Sequence, residues 1–131
     1  MSEKDNVARI TKIYEAFGRG DIAYIIDQVT DDVRWVARFE PIVPWAGDFS
    51  GKRTVPKFFE AIGSSVDVTA FTPRELVAQG DTVVSLGEFG CKVRATGKSV
   101  LSRWVFIWKL REGRVYDYEQ FHDPSLAAAF R

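Results

Sequence analysis

The chain predicts an α+β fold in which a few helices pack on one face of a curved sheet. Three observations carry this. Helical periodicity is confined to two segments at the start and one after Thr54; long runs of period-two alternation follow from Val66 onward; and glycine-bearing turns at Gly80-Asp81, Thr96-Gly97 and Arg111-Glu112-Gly113 join those runs as neighbours. At 131 residues the chain is one domain, large enough to bury a core without metals or disulfides.

Ser2 and Asp5 read as a helix N-terminus, and Val7, Ile10, Ile13, Tyr14 and Phe17 recur at helical spacing until Gly18 and Gly20. Asp21 caps a second helix whose apolar face is Ile22, Ile25, Ile26 and Val29, with Thr30-Asp31-Asp32 as its stop. Val33 to Phe39 reads as a strand with Trp35, Ala37 and Phe39 inward and Arg34, Val36 and Arg38 outward. Glu40 to Gly51 holds two prolines and two glycines and so reads as irregular, yet its apolar residues Ile42, Val43, Trp45 and Phe49 suit a covering loop. Glu40 and Asp48 in it read as solvated carboxylates or as groups at a cavity mouth.

Thr54 opens a third helix with Val55, Phe58, Phe59 and Ile62 as its buried stripe and Gly63-Ser64-Ser65 as its end. Val66 to Phe71 and Arg74 to Gln79 form one long strand or two, interrupted at Pro73. Thr82 to Arg94 is another strand, apolar on both parities. A two-residue Thr96-Gly97 loop pairs Ala95 with Lys98, hence Cys91 with Ser102 and Phe89 with Trp104. That register points Gly87, Phe89 and Cys91 inward and Glu88 outward; a one-residue change would turn Glu88 into the interior. Asp123 and Pro124 suit the first two positions of a short C-terminal helix.

The stretch from Ser99 to Asp123 is the chain's most aromatic element, a hairpin around Arg111-Glu112-Gly113. Ser102, Trp104, Phe106, Trp108 and Leu110 share one face of its first strand; Tyr116, Tyr118, Gln120 and His122 share one face of its second. A three-residue loop would set Phe106 beside Tyr118, Trp104 beside Gln120 and Ser102 beside His122. An aromatic band with a few polar groups suits a small-molecule pocket, and equally the core of a curved sheet.

Charge excludes some functions. Eighteen basic residues balance eighteen acidic ones, with no long charge run, so neither nucleic acid nor an anionic membrane is an expected partner. The one cysteine, Cys91, sits in an apolar strand and reads as a buried thiol. No segment is long and apolar enough to span a bilayer, and MSEKDNVARI lacks the apolar run of a signal peptide, so a cytoplasmic protein is expected.

With these residues placed, the whole chain resembles the SnoaL-like proteins of the nuclear transport factor two and ketosteroid isomerase superfamily. The resemblance rests on IYEAFGRGDIAYIIDQVTDDVRW, on the Gly47 and Gly51 loop, on TGKS at one hairpin turn and on EGRVYDYEQFHDPSLAAAF at the end. It implies a cone-shaped α+β barrel: a strongly curved mixed or antiparallel sheet wrapped around N-terminal helices, with an apolar cavity between them. It also implies a homodimer through the outer sheet face, which here carries Arg103, Val105, Ile107, Asp117, Glu119 and Phe121. At the positions that match the catalytic aspartate, tyrosine and second acid of ketosteroid isomerases this chain has Ala37, Ile13 and Ser102. At those of the limonene epoxide hydrolase triad it has Phe89, Gly87 and Gln120. Neither mechanism is available, whereas aldol-type polyketide cyclases of the superfamily manage with one pocket aspartate or histidine.

His122, the only histidine, falls on the inward face and has an ordinary pKa near about 6.5, suited to proton transfer at neutral pH. It is the candidate catalytic residue, with Tyr118 beside it; the plainer reading is a strand-end residue bonded to Ser102 or the backbone. Asp123 next to it reads as a helix cap that would raise the imidazole pKa on contact. Candidate ligand-lining residues are Tyr14 and Phe17 on the first helix, Trp35 and Phe39 on the first strand, Trp45 in the loop, and Phe58 and Ile62 on the third helix. Phe89, Ser102, Trp104, Phe106 and Gln120 complete the set from the later strands, while Trp108 reads as core. A buried amide such as Gln120 must be satisfied by a ligand, a tyrosine or water. Neither metal-ligand spacing nor a phosphate-binding glycine loop occurs, so no metal and no cofactor are expected. Three functions fit: a cofactor-independent enzyme acting on a small apolar metabolite, a binding protein for a small hydrophobic molecule, and a dimerisation domain whose cavity is filled.

Overall fold

The computed structural model describes residues 2–131. Helices α1 (Glu3–Gly18) and α2 (Ile22–Asp27) lead into strand β1 (Val29–Arg38). The two-residue strand β2 (Gly47–Asp48) and helix α3 (Val55–Ser65) follow, then β3 (Val66–Gln79), β4 (Thr82–Val93), β5 (Ser99–Arg111), β6 (Arg114–His122) and helix α4 (Pro124–Ala128). One six-stranded sheet has the order β2-β1-β6-β5-β4-β3. Strands β3 to β6 form the antiparallel meander, and β6 returns to lie parallel to β1, which makes the sheet mixed. α1 packs on β3 and β4, so the helices lie on the inner face of a sheet bent by bulges in β3 and in the β5–β6 ladder.

Local chemistry explains the helix bounds. Ser2 and Asp5 form a reciprocal capping box, with the Ser2 hydroxyl accepting from the Asp5 amide at 3.0 Å. Asp21 accepts from the Tyr24 amide at 3.1 Å, and Asp123 caps α4 with Pro124 in the first turn. α2 ends at Asp27, however, and Thr30-Asp31-Asp32 is not its stop but the start of β1, with Val29 buried in the sheet. α3 likewise runs through Gly63-Ser64-Ser65, where β3 follows without a loop. β3 is a single strand across Pro73, because it is the sheet edge and the missing N–H is not required there. The 40–51 loop is irregular except for β2, which pairs Gly47 with Ala37 and Asp48 with Val36. It is stitched to β1 further along by Phe49 N–H to the Trp35 carbonyl and Gly51 N–H to the Val33 carbonyl, both 2.8 Å. Val43 and Trp45 are buried beneath it.

Both hairpin registers differ from expectation by two residues. Between β4 and β5 the loop has four residues, Arg94 to Gly97, closed by Val93 N–H to the Lys98 carbonyl at 2.8 Å. Phe89 therefore faces Ser102, Gly87 faces Trp104 and Cys91 faces Val100. A shift of two keeps parity, so Phe89 and Cys91 are buried and Glu88 points outward, ion-paired with Arg74. Between β5 and β6 the turn is only Glu112-Gly113, with φ of 52° and 78°, the two left-handed residues of a type I′ turn. That shorter turn alone would invert β6, and it does so for the two pairs next to the turn, Arg111 with Arg114 and Leu110 with the buried Val115. A bulge before Lys109 then restores parity, placing Trp108 beside Tyr118, Phe106 beside Gln120 and Trp104 beside His122. Tyr116 is left off the inner face, its ring 5.0 Å beneath the Arg111 guanidinium.

Candidate functional site

The inner sheet face, α1, α2, α3 and the 40–51 loop enclose an aromatic cavity of about 50 Å³. Tyr14 and Phe17 line it from α1, Phe58 and Ile62 from α3, Trp35 from β1, Trp45 from the loop, and Phe89, Phe106, Tyr118, Gln120 and His122 from the later strands. All eleven were expected there. Phe39, Ser102 and Trp104 are absent from the lining, and Ile13, Ile25, Phe59, Phe71 and Trp108 take part in it. The exchange of Trp104 for Trp108 follows from the register: Trp108, not Phe106, is the partner of Tyr118. Trp104 instead lies flat on Phe106 with centroids 3.8 Å apart and reaches across Gly87 to stack on Phe71 at 5.4 Å. Phe39 and Ser102 stand behind the cavity wall, where both touch His122. Glu40 and Asp48 do not reach the cavity; Glu40 pairs with Arg131, and Asp48 accepts from the Ser50 amide at 2.8 Å. Phe59 and Phe71 were legible as apolar positions of α3 and β3, but only the three-dimensional approach of α1 turns them to the same opening, with Phe17 4.9 Å from Phe71.

Tyr14, Tyr118, Gln120 and His122 break the apolar lining, and the indoles of Trp35 and Trp108 add N–H donors. The Trp108 indole N–H donates to the Tyr14 hydroxyl at 2.8 Å, and the Gln120 amide nitrogen donates to the Tyr118 hydroxyl. Burial pushes both tyrosine pKa values up, opposed at Tyr14 by Ser85 and Trp108 and at Tyr118 by Gln120, so both phenols stay protonated at neutral pH. The Trp35 indole N–H and the Gln120 carbonyl oxygen are buried without a partner among the described residues. His122 closes one end of the cavity, with the rings of Phe39, Phe89 and Phe106 set edge-on at 5.2, 5.9 and 6.2 Å. Burial among them lowers its pKa to about 4, partly offset by the Asp123 carboxylate, so the imidazole is neutral throughout the physiological range. Its Nδ1 lies 3.1 Å from the Ser102 hydroxyl, which is 3.2 Å from an Asp123 carboxylate oxygen.

No group of three His, Cys, Asp or Glu side chains converges as a metal site among the described residues. Cys91 is buried away from the cavity, its thiol pKa pushed up to about 11 by desolvation. This combination, an aromatic cavity with a neutral imidazole in its wall, has the parts for proton transfer to or from a small apolar ligand.

The SnoaL-like domain model matches residues 10–118. The chain belongs to the SnoaL-like family. Its structure superposes on an NTF2-like protein from Burkholderia xenovorans with a TM-score of 0.88 and 27% identity, covering 100% of this chain and 99% of the other. TerC, crystallised with polyporic acid, is similar at a TM-score of 0.79 and 25% identity over 91% of this chain and 92% of TerC. Among curated proteins, patulin synthesis protein F of Aspergillus clavatus is 24% identical over 97% of this chain and 68% of its own length. This SnoaL-like chain thus has the cone-shaped α+β fold of its superfamily.

Proposed function

We propose that this SnoaL-like protein is a cofactor-independent enzyme that acts by acid/base chemistry on a small, mostly apolar, oxygen-bearing metabolite, with His122 as the proton carrier. One observation carries the reading: the single histidine is held neutral in the wall of an otherwise aromatic cavity, where it can accept a proton at pH 7. Tyr118 and Gln120 stand two residues apart on the same strand face and orient a ligand oxygen, the phenol as donor and the amide carbonyl as acceptor. The proton taken by His122 returns to another atom of the same substrate, the common step of isomerisation, cyclisation and dehydration. The names of two relatives support a small organic ligand, since one takes part in patulin synthesis and the other was crystallised with polyporic acid.

The cavity volume supports a second reading. About 50 Å³ is far below the 300–1,000 Å³ of ligand pockets and holds only about three or four waters. As an enzyme, the protein must widen this cavity to take a substrate; as a dimerisation domain or a binding protein, it need not turn anything over. Native mass spectrometry of protein purified from its own source tests for a small molecule carried with the fold. With that molecule or a close analogue as substrate, His122→Gln lowers turnover by about 10²- to 10⁴-fold. Undiminished turnover in His122→Gln removes the assigned role, and tight capture without turnover makes the protein a binder.

The same reading includes a homodimer through the outer sheet face and a cytoplasmic setting. Leu86, Leu101 and Phe121 are exposed there beside Val105 and Ile107, while Arg34 and Arg38 pair with Asp117 and Glu119 along the neighbouring edge. Sedimentation of wild type against Phe121→Glu reads the interface, with the dimer expected to dissociate in the variant.

A further inference from the structure

We propose that Ser102 and Asp123 are positioning residues that hold the His122 imidazole in its Nδ1–H tautomer, leaving Nε2 as the atom that accepts the substrate proton. This deepens the assignment of His122 as proton carrier and rests on it. The argument is a count of protons. The Ser102 hydroxyl, fully buried on β5, lies 3.1 Å from His122 Nδ1 and 3.2 Å from Asp123 Oδ1 and has one proton to give. Asp123 takes only acceptor roles: Oδ1 receives the Ser125 amide at 3.0 Å and the Ser125 hydroxyl, and Oδ2 receives the Arg103 amide at 3.0 Å. These donors stabilise the ionised carboxylate against burial, so it has no proton to return. The serine proton is therefore committed to Asp123, and Ser102 faces Nδ1 with lone pairs alone. Nδ1 must carry the hydrogen; it makes the one side-chain hydrogen bond of His122 among the described residues, and Nε2 carries the lone pair.

The arrangement is rigid because Asp123 does two jobs. Its carboxylate caps α4 while its own amide donates to the Arg103 carbonyl at 2.9 Å, tying it to β5 one residue beyond Ser102. The register shift supplies the geometry: Ser102 lies diagonally across from His122, one pair beyond the Trp104–His122 pair. When Nε2 takes a proton from substrate, the imidazolium charge forms two hydrogen bonds away from a fixed carboxylate, and the charge disappears when the proton is handed back.

The chain has one histidine, so a long-range ¹H–¹⁵N correlation spectrum of uniformly labelled protein at pH 7 shows one imidazole and reads its tautomer without any ligand. Wild type is expected as a single Nδ1–H form, and an Nε2–H form overturns the proposal outright, with no variant needed. Ser102→Ala removes the acceptor and is expected to convert the spectrum to a mixture containing the Nε2–H form, whereas Ser125→Ala, which leaves the Ser102 contacts intact, is expected to match wild type. A folded Ser102→Ala protein that keeps the pure Nδ1–H form also overturns it. If His122→Gln retains full turnover, the catalytic reading fails while the tautomer result stands, so the two failures are distinguishable.

Discussion

Gly87 lies directly opposite Trp104 in the β4–β5 ladder, and the indole occupies the space that any larger residue at position 87 would need. A Cβ built there would penetrate the indole and come within 2.6 Å of the Thr72 carbonyl oxygen. Backbone on one side and, on the other, an indole packed against both Phe71 and Phe106 leave little route for relaxation. Gly87→Ala is expected to lose about 1 to 3 kcal/mol in urea denaturation. Trp104→Phe in the same chain recovers only part of this, because the Thr72 carbonyl remains; full recovery would show that the indole alone sets the limit.

The Tyr14 hydroxyl is the partner of the buried Trp108 indole N–H. Tyr14→Phe leaves that donor unpaired in an apolar wall, and is expected to destabilise by about 1 to 3 kcal/mol. The double variant Tyr14→Phe, Trp108→Phe removes both polar atoms. A double-mutant cycle should therefore return a coupling of the same sign, and additive losses would show that the contact contributes nothing.

His122 adds a pH dependence to stability. Its pKa falls from an ordinary 6.5 to about 4 on folding, so between these values the unfolded chain binds the extra proton. Stability from this group is complete above pH 6.5 and declines as pH drops through the window toward 4, by at most about 3 kcal/mol. Melting temperatures from pH 7 to 4 should fall more steeply in wild type than in His122→Gln. Parallel curves would contradict a buried neutral imidazole.

Asn6 is fully buried on α1, and neither amide atom has a partner among the described residues. Leucine has nearly the same shape, a better helix propensity and no polar group to desolvate. Asn6→Leu is therefore expected to stabilise by about 1 kcal/mol. A loss of stability would reveal a bound water or another partner that the amide holds.

Much of the site was legible because its signals are local. Ten of the eleven expected lining residues follow from helical or strand spacing that puts each on an inward face, whatever its partner, and Trp45 follows from the apolar character of the covering loop. The exchange of Trp104 for Trp108 has its origin in the register. Trp104 and Trp108 share a parity, and only the turn and the bulge decide which of them meets Tyr118. Phe71 was hidden because β3 is an edge strand with two bulges, where alternation no longer reports the face.

The sequence by itself determined the α+β class, the SnoaL-like family, the helix caps at Ser2, Asp21 and Asp123, and the inward face of β4, of β5 and of β6 beyond Tyr116, because capping groups and side-chain periods act over a few bonds. The tertiary structure alone decided that β6 lies parallel to β1, that both hairpins slide by two residues, and that Asp123 joins the expected Ser102–His122 contact through the serine hydroxyl. A shift of two leaves every face unchanged and so leaves no trace in the pattern. It is settled by how the Glu112-Gly113 turn, the bulge at Lys109 and a crowd of interlocking rings fit together in space.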